Sequence, residues 1–211
     1  MNTIVGLFRE GYEANQSVVA LEEAGFSPAN ISVLAQDQVI DRDELERDYL
    51  SSYEDDDDYD DEEMDVAEGA GVGAAGGAVI GGLTGLLMGI GTIAIPGIGP
   101  VIAAGTLATA LTSAASGAIV GTAAGAVTGG VVAALINLGV PEEDAHFYAE
   151  GVKRGGVLVT VQTEESQTFM AEEIMRRFNA LDVDTHSEAW REEGWEYFDE
   201  TVSPVQDYPQ L

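Results

Sequence analysis

The residues of widest chemical range in this sequence are two histidines, His146 and His186, an acidic run within residues 55–63, and a glycine-rich stretch opening at Gly69. Each suggests a chemistry that its neighbours then limit. Gly71 to Gly76, GVGAAG, has the spacing of a dinucleotide-binding turn, in which glycines let a pyrophosphate approach the backbone at a helix N-terminus. That motif needs a strand before it and an acidic ribose partner about 20 residues later. Here an acidic stretch precedes it and only uncharged residues follow, so helix packing is the better account of these glycines. No Gly-x-x-x-x-Gly-Lys-Ser/Thr phosphate loop occurs. Asp55 to Asp58, with Asp60, Asp61, Glu62 and Glu63, offer oxygens to calcium or magnesium. They lack the mid-loop glycine and alternating ligands of an EF-hand and read as a solvated tether. The histidines have no nucleophile elbow, no H-E-x-x-H helix and no cysteine to work with. The sequence therefore assigns no catalytic residue, cofactor or metal site, and the expectation is a protein that is not an enzyme.

Among the elements that position these residues, Thr3 to Phe8 is β-prone, and Glu13 to Ala24 has Ala14, Val18 and Leu21 at helical spacing before a stopping Gly25. Ile31 to Ala35 reads as a strand after the turn residues Ser27, Pro28 and Asn30. The same order returns near the other end. Val157 to Val161 is a β-branched run, Ser166 to Ala180 is amphipathic through Phe169, Met170, Ile174 and Phe178, and Val183 to Ser187 is expected as a last strand. Two β-α-β units of this kind predict an α+β fold of ferredoxin-like form, four antiparallel strands with two helices on one face. Residues 1–36 form one half and 155–190 the other. Pro141 with Glu142, Glu143 and Asp144 starts a helix that leads into the second half, and Lys153 and Arg154 favour its negative end before Gly155 and Gly156 stop it. Those two cations could hold a phosphate, but the helix-end role explains them better. Residues 191–211 form an acidic tail whose aromatics, Trp195, Tyr197 and Phe198 after Trp190, are expected to pack back on the sheet.

Between the halves lie an acidic loop, residues 37–68, and then a run from Gly69 to Pro141 without one charged residue. Glycine stands at 69, 73, 77, 81, 85 and 89; the four-residue spacing resumes at Gly105, Thr109, Ser113, Gly117, Gly121, Gly125 and Gly129. Glycine costs a helix about 1 kcal/mol relative to alanine. A row of glycines is therefore compensated only where two helix backbones approach closely, as in Gly69, Gly73, Gly77, Gly81, Gly85 and Gly89 facing Gly105, Gly117, Gly121, Gly125 and Gly129. Pro96, Gly97, Gly99 and Pro100 are placed at the turn of a helical hairpin over residues 69–140. Its exposed apolar surface requires either other copies of the chain or a bilayer. The apolar turn (Ile95, Ile98, Val101, Ile102) suits both environments, while the absence of Lys or Arg between Arg47 and Lys153 removes the usual membrane anchor.

The stretches IVGLF, AGFSPANISVLA, AIPGIGPVIAAG and LGVPEEDAHFYAEGVKRGGVLVTV, with the glycine-rich run, resemble the general stress protein 17M-like group, which includes proteins with the heat-induced stress domain and related cyanobacterial proteins of unassigned function. The resemblance implies a stress-related role and brings no biochemical activity with it. It does not extend to the acidic loop or to the tail after Trp190.

The chain's 38 acidic residues against 8 basic ones, a formal charge of -30, disfavour nucleic acid and anionic lipid surfaces. Lys153 is the only lysine, a bias that adaptation to high salt would explain. Without cysteine there is no disulfide, and MNTIVGLFREGYEAN has no basic and apolar leader. The expectation is a cytoplasmic homo-oligomer joined through the hairpin, with a membrane-associated scaffold or sensor at the inner face of the cell membrane as the alternative.

Overall fold

A computed structural model of the chain describes residues 1–37, 92–115, 130–199 and 201–202. The first half follows its sequence pattern. β1 (Asn2–Phe8) leads to α1 (Gly11–Glu23), which buries Ala14, Ser17, Val18 and Leu21 and ends at Gly25, whose φ of 94° only glycine adopts readily. β2 (Ile31–Gln36) is buried along its whole length. Further on come β3 (Thr92–Ile95), β4 (Gly99–Ala104), α2 (Thr106–Ala115), α3 (Val131–Asn137), α4 (Glu142–Lys153), β5 (Val157–Thr163), α5 (Thr168–Arg177) and α6 (Val183–Glu192).

The strands form one antiparallel sheet in the order β1-β5-β2-β4-β3, with Ile4 opposite Val161, Val33 opposite Val159 and Leu34 opposite Ala103. Successive side chains leave a strand on opposite faces, and here both faces are covered. Ile31, Val33, Ala35, Val157, Val159 and Val161 pack on one side with Val18 and Leu21 of α1 and Ile174 and Met175 of α5. Leu7, Leu34, Val101, Ala103 and Leu158 pack on the other with residues of α2, α3, α4 and Trp190 of α6. A strand buried on both faces is mainly apolar, which is why ISVLA and VLVTV scarcely alternate, with Ser32 and Thr160 as their buried polar exceptions. The approach is close. A Cβ on Gly151 of α4 would run into the Leu7 side chain, and one on Gly156 would lie 2.9 Å from it.

Four expectations change. The mixed α+β class and the antiparallel sheet are present, but the sheet has five strands and its helices lie on two faces rather than one. Val183 to Ser187 is the start of α6, not a strand. Asp182 caps it, its carboxylate accepting the Thr185 N–H at 2.9 Å, and this local bond outcompetes pairing along β1. Phe169 and Met170 are exposed, and the buried face of α5 is Ala171, Ile174 and Met175.

The fourth correction concerns the helical hairpin. Pro96 and Gly97 do form a turn, with Ile98, but it joins strands β3 and β4, and Gly99 and Pro100 already belong to β4, paired with Ile95 and Ala94. The Ile98 N–H donates to the Ile95 carbonyl at 3.2 Å across Pro96 and Gly97, whose φ is 79°, the Pro-Gly placing of a type II turn. The four residues thought to seek lipid or a neighbour are inside: Ile95, Ile98, Val101 and Ile102 are all buried in the chain's own core. Gly105, assigned to a helix row, is a strand-to-helix junction with φ 74°, where a Cβ would strike the Ile31 carbonyl. Gly69, Gly73, Gly77, Gly81, Gly85, Gly89, Gly117, Gly121, Gly125 and Gly129 lie outside the described residues, as do GVGAAG and the acidic run. Among the described residues no helix is long and apolar enough to cross a membrane.

Candidate functional site

The departure of α6 leaves the outer edge of β1 short of a neighbour, and a groove follows it. One hollow of about 320 Å3 is lined by Val5, Tyr148 and Met175 and continues to Asp182 and Asp184. A second, of about 200 Å3, shares Ile4, Val5, Tyr148 and Glu172 with the first and extends to Thr3 and Asp144. Together they form one trough, with α5 on one wall and α4 and α6 on the other. Tyr148 lies at its middle, 7 % exposed, its hydroxyl donating to the Val5 carbonyl at 3.4 Å.

The trough is acidic. Burial raises the Asp144 carboxyl above its ordinary range, and the charges of Glu143 and Asp184 push it the same way. Asp182 is held down by the Thr185 hydroxyl and N–H bonds that make it a cap. Burial, followed by the charges of Asp144 and Asp182, raises the Tyr148 phenol, so it stays a neutral donor. Arg176 is the one cation among the lining residues. Such a trough can accept main-chain hydrogen bonds and positive charge; among the described residues no three acidic, histidine or cysteine side chains gather as a metal would need.

The candidates from the sequence lie elsewhere and apart. His146, on α4, faces the ring of Tyr197 edge-on at 6.3 Å, and burial lowers its pKa against the raising charge of Glu142. His186, on α6, accompanies the Asp182 carbonyl at 2.9 Å and Arg9 at 3.2 Å. Neither contacts the other. Lys153 and Arg154 are engaged with Glu150 and the tail. Lys153 Nζ lies 3.8 Å from Glu150, donates to the Asp199 carbonyl at 3.3 Å and stands over the Phe198 ring. Arg154 bonds Glu150 at 3.1 Å and Glu193 at 3.2 Å while its guanidinium covers Trp190, which stacks on Phe147. Gln36 donates to the Val152 and Lys153 carbonyls at 2.8 Å each, satisfying the last turn of α4 from the sheet. Trp190 and Phe198 are buried, their ring contacts being with Phe147, Lys153 and Arg154 at α4 and its end where the sheet was expected; Trp195 is half-buried against Trp190, and Tyr197 is exposed.

The trough arises where an expected strand is absent, and no residue pattern marks it directly. The local signal against that strand is Asp182, an N-cap residue that accepts the Thr185 N–H. Compared with known proteins, the chain matches no family model, no curated protein and no solved structure.

Proposed function

We propose that this chain is a non-catalytic, stress-related assembly protein of the cytoplasm, in which the α/β sandwich is a folded platform and the glycine rows join copies of it. The observation that carries the reading is how the uncharged run divides. The branched residues of its described part, such as Ile95, Val101, Leu107, Val131 and Leu135, are taken up by the core. The remainder holds the unbroken rows Gly69 to Gly89 and Gly117 to Gly129. Taken as helices, rows of small residues four apart favour close backbone contact, which larger side chains forbid. The tightly dressed core and the resemblance to the general stress protein group support the same role. The sandwich is then a ferredoxin-like unit, β1-α1-β2 with β5 inserted between its strands, extended by the β3–β4 hairpin and lacking the final strand.

Fractionation of native cells at low and high salt tests this. The account expects the chain in the soluble fraction as a discrete species larger than 22.1 kDa. Recovery only with the membrane fraction, released by detergent and not by salt, would instead support a membrane scaffold.

A further inference from the structure

Among the described strands β1 is paired on one side only, with β5. Along a strand the N–H and C=O of alternate residues point the same way, and two contacts show which residues serve the outer side. The Leu7 carbonyl accepts the Leu181 N–H at 2.7 Å, and the Val5 carbonyl accepts the Tyr148 hydroxyl. Thr3, Val5 and Leu7 therefore direct their main-chain groups outward. The segment before α6 makes that single backbone bond to Leu7 and turns away, so no described backbone continues the ladder past Val5 and Thr3.

We propose that the trough beside β1 receives a short extended segment of a partner protein, bearing Lys or Arg at alternate positions, which adds as a strand beside Thr3–Val5, pairing with the Thr3 N–H and carbonyl and the Val5 N–H while the Val5 carbonyl keeps Tyr148. Main-chain pairing at an open sheet edge supplies affinity, and pockets for alternate side chains supply selectivity. The two walls set that alternation. An added strand would send one set of side chains towards Asp144, Asp182 and Asp184 and the other towards Met175 and Glu172 of α5. The first wall asks for cations; the second sets buried Met175 between the charges of Glu172 and Arg176 and asks for a side chain with an apolar stem. A cation also relieves the mutual crowding of Asp144, Glu143 and Asp184. A second copy of this chain is a poor occupant, because β1-to-β1 pairing would bring two acidic troughs face to face. The inference goes beyond the glycine-row reading and does not depend on it.

The test uses the full-length chain and a labelled, end-blocked hexapeptide alternating Lys and Val, at about 0.15 M salt. Two controls accompany it: the same hexapeptide N-methylated at alternate residues, and a Glu-Val counterpart. Because a chain this acidic attracts any cationic peptide diffusely, N-methylation, which removes main-chain donors and leaves the charge, is the deciding control. The Lys-Val peptide is expected to bind saturably and to slow amide exchange within residues 2–8. Binding should weaken about tenfold or more with the N-methylated peptide and with the Glu172→Lys/Asp184→Lys variant, both at exposed positions. No binding, equal binding of the N-methylated peptide, or binding indifferent to the double substitution would overturn the proposal. So would slowing of the same amides by raised protein concentration alone, which would give the edge to a second copy.

Discussion

At the scale of single residues, the chain's one lysine is its most informative side chain. Lys153 is 4 % exposed, and its charge is matched by Glu150, by the Asp199 carbonyl and by the face of Phe198. Removing a partner from such a buried set strands the others, at a cost of about 1–3 kcal/mol. Lys153→Met should lower unfolding stability by that amount and loosen the tail, read by the fluorescence of Trp190 and Trp195, the only tryptophans. An unchanged melt with unchanged emission would show that the tail is held by other means. Glu22 supplies the opposite case. Burial raises its carboxyl from 4.5 to about 7, and its Oε1 has no hydrogen-bond partner among the described residues. The folded chain then binds more protons than the unfolded one between those values, so this group's contribution to stability is full below 4.5 and is lost as pH rises to about 7. Glu22→Gln should therefore stabilise the protein at pH 8 and make little difference at pH 4, as measured by urea melts at both. Equal effects at the two pH values would contradict the assignment.

At the scale of elements, close approach is set by glycines whose neighbours are backbone rather than flexible side chains. Gly105 is the clearest, because its positive φ and the Ile31 carbonyl both exclude a side chain. Gly105→Ala should destabilise the sandwich by about 1–3 kcal/mol, checked by chemical denaturation; a neutral result would mean that β4 and α2 can shift relative to β2. The same residue shows where sequence reading succeeds and fails. β1, α1, β2, α4 and β5 were legible because each carries its period and its stop signal locally: Val18 and Leu21 before Gly25, and the acidic first turn of α4 before Gly155. The β3–β4 hairpin was not, since Thr92 to Ala104 sits inside an uncharged run where glycine spacing overrode the Pro96-Gly97 turn signal and the β-branched Ile93, Val101 and Ile102. The last expected strand failed for a local reason as well, the Asp182 cap. The trough was invisible because no residue marks an edge that a neighbour fails to cover.

At the scale of the whole molecule, the account joins a double-faced sandwich to two glycine-rich segments that leave it at different places. The first, residues 38–91, runs from the end of β2 to the start of β3; the second, 116–129, lies between α2 and α3. Both are flanked in sequence by elements of the same five-stranded unit. Association through them predicts that bulk in either row harms assembly and spares the sandwich. The most direct measurement is light scattering of the full-length chain, prepared without detergent, beside Gly77→Leu and Gly121→Leu, with circular dichroism confirming the fold of each. The account predicts a discrete soluble oligomer for the parent and, in both variants, association weakened about tenfold or more with the sandwich intact. A parent that is monomeric, or variants of unchanged mass, would contradict it.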